Sequence, residues 1–296
     1  MANRVELEAF HPHALECLHF GQEGAHPHVL ITAGIHGGEA TGIWVARRLV
    51  QWLGEKSLKG RVTIIPVANP AAFRKLNRVS PYDELDLNRI FPGEPEGTPS
   101  MVLASLLWEH AKQADYLVDL HCCGIFGSDY TLALWQEFPF ARELASMIDI
   151  PVVVQSGGTR NQLFVEACHR NIPAVIIELA GGQFGSGGGL LNRRSGEQGF
   201  AAVSNLLIRL GVAEGSAPPV EPRFYDRIRD IRSTKPALWT PVVAPGAAVT
   251  EGQVLGDLDG EPVRSTATGI AISVRSDSYV FPGHSVAAVA PLAPLE

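Results

Sequence analysis

A chain of 296 residues, 46% hydrophobic and 19% charged, can fill the core of one large α/β domain and a smaller companion, and it lacks the composition of a disordered protein. A net charge of −7 with no basic run excludes nucleic acid as the default partner. Four scattered cysteines exclude a disulfide framework, and no run of about twenty apolar residues offers a membrane span.

The first eight residues carry acidic side chains and no apolar core of signal-peptide length, so a cytoplasmic protein is expected. The first strong element is a buried strand, His28–Ala33, which stops at the turn His36-Gly37-Gly38-Glu39. Ligands of α/β proteins bind at the carboxyl ends of strands. His36 and Glu39 can therefore supply a metal with two of the three protein ligands that a catalytic zinc takes. A helix over Glu39–Leu53 follows, with Ile43, Ala46, Val50 and Leu53 on one face, then a strand over Val62–Val67. Asp86-Leu87-Asn88-Arg89 sets an amide beside a guanidinium, a pairing suited to gripping a carboxylate.

Beyond a helix over Ser100–Gln113, the strand Tyr116–Leu120 ends on His121, the expected third ligand. Asp119, two residues earlier on the same strand, points to the same side and can orient His121. Cys122 and Cys123 follow directly, and small residues filling a strand end explain them better than a ligand role. Strands over Tyr130–Ala133, Val152–Gln155 and Ala174–Leu179 alternate with helices over Phe140–Ile148, Asn161–Arg170 and Ser195–Leu210. The last of those strands carries a lone carboxylate, Glu178, suited to moving a proton between water and a leaving amine. The glycine-rich run over residues 181–189 suggests a flexible loop at the mouth of the site. Without the lysine and serine or threonine of a phosphate loop, it does not indicate nucleotide binding.

A small-residue and proline linker at residues 211–219 separates a catalytic domain, 1–215, from a C-terminal β domain, 223–296. Glycine turns at short intervals give that second domain its β character.

His36, Glu39, Asn88-Arg89, His121 and Glu178, in this order, resemble the zinc-dependent succinylglutamate desuccinylase/aspartoacylase family, a branch of the zinc carboxypeptidase superfamily. The resemblance is specific over about residues 28–205 and looser to the C-terminus. It implies an α/β class fold: a zinc-carboxypeptidase-like α/β/α sandwich with a mixed sheet. It also implies one zinc per chain on His36, Glu39 and His121, although the ligand types alone would admit cobalt or manganese. Glu178 becomes the general base and acid, and Asn88 and Arg89 bind the substrate carboxylate. Arg78, with Arg74 as an alternative, polarises the scissile carbonyl, and Asp86 accepts the ring N–H of His36. The implied reaction is deacylation of a small N-acyl amino acid or related amine. A metallocarboxypeptidase acting on short peptides and a non-catalytic metal-binding scaffold are the competing readings, and a homo-oligomer is left open.

One departure from the family pattern matters, and one from a carrier domain. Members that cleave acylaspartate place an arginine ten residues before the base glutamate, where this chain has Cys168; Arg160 and Arg170 are near but out of register. The C-terminal turns look like those of a biotinyl/lipoyl-type barrel sandwich, yet residues 264–269 contain no lysine to modify. A lid or an assembly role remains for that domain, with Tyr279 a candidate for substrate contact.

Overall fold

The computed structural model describes residues 3–5, 15–184 and 187–294. Gly185 and Ser186 of the glycine-rich run, and most of the N-terminal segment read for targeting, lie outside the described residues. Among the described residues no helix is long and apolar enough to cross a membrane.

In chain order the strands of the main sheet are β1 (Asn3–Val5), β2 (Cys17–Phe20), β3 (His28–Ala33), β4 (Arg61–Ile65), β5 (Tyr116–Cys122), β6 (Tyr130–Ala133), β7 (Val152–Gln155) and β8 (Ala174–Leu179). A hairpin, β9 (Gly181–Phe184) and β10 (Gly187–Leu191), forms a separate two-stranded sheet, and β11 (Arg223–Tyr225) returns to the main one. The helices are α1 (Ala40–Gly54), α2 (Pro70–Lys75), α3 (Pro99–Ala111), α4 (Pro139–Ser146), α5 (Leu163–His169) and α6 (Arg193–Arg209). The main sheet has the order β1-β2-β4-β3-β5-β8-β6-β7-β11. It is mixed: β4, β3, β5 and β8 run parallel, and β6 runs antiparallel to β8.

The central strands are apolar on both faces because helices cover both. Val29, Ile31, Val118 and Leu120 meet residues of α1 and α6, including Leu49, Val203 and Leu206. Leu30, Leu117 and Ile176 meet α3 and α5 through Leu103, Leu107 and Phe164. Side chains alternate along a strand, so Asp119 and His121 share the α3/α5 face with Leu117. That alternation assigns the polar ends of β5 and β8 to one side of the sheet.

The C-terminal strands are β12 (Arg229–Arg232), β13 (Ala237–Pro241), β14 (Ala248–Val249), β15 (Val254–Leu258), β16 (Glu261–Arg264), β17 (Gly269–Val274), β18 (Ser278–Val280) and β19 (Ser285–Pro291). They form two four-stranded antiparallel sheets, β12-β19-β17-β14 and β16-β15-β13-β18. Trp239 is fully buried in their shared core, its Nε1 donating to the Arg275 carbonyl at 2.8 Å.

Two expectations need correction. Residues 223–225 do not open the C-terminal unit; they pair in parallel with β7 at the edge of the main sheet, where Tyr225 finds an apolar surface. The glycine run is a hairpin rather than a loop, because its glycines permit close packing: a Cβ on Gly188 would stand 2.5 Å from the Leu76 carbonyl oxygen.

Candidate metal centre

β3 delivers the chain to a turn that only glycine can make. Gly34 has φ +67°, and a Cβ on Gly37 would lie 2.1 Å from the Ala72 carbonyl of α2. Gly37 N–H also donates to the Asn77 carbonyl at 2.8 Å, pinning the turn. His36 and Glu39 are thereby held inward and buried. α1 begins one residue after Glu39, which occupies the N-cap position without capping the helix. Its carboxylate is directed instead at two imidazoles.

Donor atoms of His36, Glu39 and His121 all lie within 4.8 Å of one another, and all three residues are buried. His36 Nδ1 is 2.8 Å from Glu39 Oε1, and His121 Nδ1 is 3.0 Å from Glu39 Oε2. Each ring turns its other nitrogen to a second carboxylate. Asp86 Oδ1 is 3.1 Å from His36 Nε2, and Asp119 Oδ2 is 2.9 Å from His121 Nε2. These contacts leave Nδ1 of both rings facing the shared centre, and a carboxylate on the far nitrogen is how metal-binding histidines are commonly oriented. Asp119 is itself fixed by the Thr32 hydroxyl, which donates to Oδ1 at 2.7 Å.

Glu39 Oε2 is buried and, despite its closeness to His121, has no partner in hydrogen-bond geometry among the described residues. A buried carboxylate oxygen without a partner is costly, and a shared cation removes that cost. With two imidazole nitrogens beside it, the donor set fits a divalent ion of the zinc type. The electrostatics agree. Burial opposes the charge of Glu39, but His121 and His36 outweigh it and hold the carboxyl below its usual range. Burial likewise opposes charge on His121, yet Asp119 and Glu39 raise its pKa well above the ordinary value. The pocket attracts positive charge.

Glu178 stands beside this cluster, directly across the β5/β8 ladder from His121. Burial pushes its carboxyl up to about 7; Glu39 and Asp119 add to the rise, while His121 and His36 oppose it. One carboxyl held low and its neighbour held near neutrality is the division expected of a ligand and a proton carrier.

Asn88 and Arg89 lie on a short turn after Asp86 that also brings Asp86 to His36. Asn88 is buried, and its Oδ1 accepts from Leu163 N at 2.9 Å, tying the turn to the start of α5. Arg89 is exposed and donates through Nη1 to the Asn88 carbonyl at 2.7 Å. Arg78 grips Asp86 Oδ2 through Nε at 3.0 Å and Nη2 at 2.9 Å, so it touches the cluster through that carboxylate. Tyr279 lies elsewhere: it is 60% exposed on the C-terminal sheet, where its ring meets Phe281 rather than a residue of the cluster. Cys168 is fully buried in α5, and burial pushes its thiol up to about 12. Arg160 is held by Glu166 through two contacts of 2.7 Å, and Arg170 lies 5.9 Å from the Trp108 ring centroid.

The family model of the succinylglutamate desuccinylase/aspartoacylase catalytic domain matches residues 25–208. The chain belongs to this family. The match spans the whole run from β3 to α6, and with it every residue of the buried cluster. Among its relatives is the N-alpha-acetyl-L-2,4-diaminobutyric acid deacetylase of Halomonas elongata, 28% identical over 91% of this chain and 83% of that protein. An aspartoacylase family protein from Mesorhizobium loti superposes with a TM-score of 0.78 at 26% identity, covering 95% of this chain and 90% of the other. A succinylglutamate desuccinylase/aspartoacylase from Rhodobacter sphaeroides gives 0.78 at 25% identity, over 99% and 96%. Family members are thus amide-bond deacylases, and the mixed α/β architecture is theirs.

Two residues of this centre escaped the sequence reading. Thr32 lay inside a run of buried β residues and carried no signal of its own. Tyr130, opposite Glu178 on β6, was visible only as the first residue of a strand.

Proposed function

We propose that this protein is a zinc-dependent deacylase that hydrolyses the amide bond of a small N-acyl amino acid or related N-acyl amine. The observation that carries the proposal is the convergence of His36, Glu39 and His121 beside a half-buried glutamate, Glu178, whose carboxyl burial pushes up to about 7. His36 and His121, through Nδ1, and Glu39 would hold one zinc ion. When bound, such an ion supplies Lewis acidity and can lower the pKa of water from 15.7 to about 7.

The remaining work falls to side chains. Glu178 takes a proton from the attacking water and passes it to the leaving nitrogen, a task suited to a carboxyl with a pKa of about 7. Asp86 and Asp119 hold the two imidazoles in the tautomer that leaves Nδ1 free. Asn88 is anchored to α5, so the turn it belongs to can present Arg89 to a carboxylate on the substrate. Arg78, held by Asp86, would serve the carbonyl side, where negative charge develops in the transition state.

Support for a small substrate comes from the C-terminal unit. Ile270 and Ile272 of β17 pack with Tyr130, the neighbour of Glu178. A unit packed against that residue would leave less room for long peptides, which supports a deacylase over a carboxypeptidase. The Halomonas relative makes N-acetylated diaminobutyrate the first compound to test. Zinc-replete protein assayed on a panel of N-acyl amino acids and short peptides separates the readings. Hydrolysis of the former alone is expected; preference for peptides, or no hydrolysis with metal bound, would overturn the proposal.

A further inference from the structure

His121, Glu178 and Tyr130 stand abreast on neighbouring strands. β8 sets Glu178 opposite His121 on one side and opposite Tyr130 on the other. Directly opposed residues of antiparallel strands project from the same face with Cβ atoms about 4.5–5.5 Å apart. A phenol is longer than a carboxylate, so the Tyr130 ring flanks Glu178 and its hydroxyl extends beyond it.

Tyr130 is only 7% exposed and stands at the sheet edge it shares with Glu178. Burial, followed by the nearby charges of Glu178, Cys123 and Glu39, pushes its pKa well above the usual tyrosine value, so it stays protonated beside those groups. The ring itself is fixed. Val154 and Tyr225 from the main sheet, and Ile270, Ile272 and Ala290 from the C-terminal sheets, complete one apolar cluster with it.

The sides of the site are distinguishable. Arg78 and Asp86 lie at the His36 side, across β5 and β8 from Tyr130. A group that protonates a leaving nitrogen must come within hydrogen-bond reach of it. With Glu178 in that role, the amine half of the substrate lies toward Glu178 and Tyr130, and the acyl carbonyl toward His36 and Arg78.

We propose that Tyr130 is a substrate-binding residue that hydrogen-bonds the polar group carried by the amine half and limits the bulk of that half. The occupant it suits is a short amino acid amine with a polar side chain, since a phenol hydroxyl can donate to or accept from that side chain while Arg89 takes the free carboxylate. This placement rests on the deacylase reading, because it uses Glu178 as the proton donor to nitrogen.

The test compares wild type with Tyr130→Phe on one acyl group joined to amino acids and to plain alkylamines. Tyr130→Phe keeps the ring and so the packing. Its KM for amino acid amines should rise about tenfold or more, as for loss of one hydrogen bond to a charged group. The loss should fall on KM rather than kcat, spare alkylamine substrates and leave acyl preference and zinc content unaltered. Ile272→Ala, which loosens the ring, should shift KM in the same direction. Calorimetric titration of zinc-loaded protein with free diaminobutyrate and aspartate probes the same contact without turnover. If wild type hydrolyses nothing but binds one of them and Tyr130→Phe does not, the deacylase reading fails and the Tyr130 assignment survives. Equal KM changes on every amine, altered acyl preference alone, or unchanged KM and product binding would each overturn it.

Discussion

Two glutamates about one small centre have opposite fates, and their neighbours decide which. Glu39 faces two imidazoles and stays ionised; Glu178 faces Glu39 and Asp119 as well as the histidines, and burial tips it toward the protonated form. Replacing Glu178 by Gln removes the proton carrier but keeps size and hydrogen-bonding capacity. Turnover should fall by a factor of about 10² to 10⁴ with zinc content unaltered. Loss of zinc together with activity in that variant would make Glu178 a ligand and break the division of labour. Arg89 offers a sharper contrast with lysine. Its guanidinium is already braced by the Asn88 carbonyl, and a lysine cannot repeat a planar, two-pronged grip. Arg89→Lys should weaken substrates bearing a free carboxylate by about 1.5–3 kcal/mol, measured as kcat/KM. Equal wild-type rates on acid and amide forms of one substrate would show that Asn88 and Arg89 serve structure only.

At the scale of elements, the buried strands were the most legible part of the chain. β3, β6, β7 and β8 fall at the bounds expected from their apolar, β-branched runs, because helices cover both faces of the sheet there. Helix ends moved by a residue or two; α1 begins at Ala40 rather than Glu39 because the Glu39 carboxylate faces the histidines. β2 was missed because Cys17-Leu18-His19-Phe20 mixes polar and apolar side chains in a short strand between β1 and β4. The β9/β10 hairpin was missed because glycines carry no periodicity. Strand-end logic brought out His36, Glu39, His121 and Glu178, since parallel strands put their carboxyl ends at one edge. It was blind to Tyr130, because β6 runs antiparallel and brings its beginning to that same edge.

Another element is held by a cap that the sequence did not announce. Asp83 accepts from Ser100 N and the Thr98 hydroxyl at 2.8 Å each, and from the Ser100 hydroxyl at 2.7 Å, closing the start of α3. Burial opposes its charge, but the Ser100 and Thr98 hydrogen bonds prevail and hold its carboxyl below the ordinary 3.8. A depressed folded-state pKa contributes stability above the unfolded value, and that contribution fades as pH falls through the folded one. Asp83→Ala should therefore cost about 1 kcal/mol in urea denaturation at neutral pH, with the gap to wild type narrowing below pH 3.8. A gap that widens on acidification would contradict the cap.

For the molecule as a whole, the C-terminal sheets are joined to the main sheet and do not hang from it. Ser128 N donates to the Ile272 carbonyl at 2.8 Å, and β11 lies between the linker and the C-terminal strands while belonging to the main sheet. A chain ended near Gly215 loses β11 and exposes Tyr130 and Val154. Such a truncation should fail to fold to native stability, read as a lowered thermal midpoint. A truncated protein with wild-type midpoint and kinetics would mean that the C-terminal unit is a separable module. The account as a whole stands on the buried triad. Its most direct test is elemental analysis of protein from metal-replete cells, wild type against the His36→Ala, His121→Ala double variant. About one zinc per wild-type chain and almost none in the folded variant is the expected result; equal metal in both would contradict the assignment.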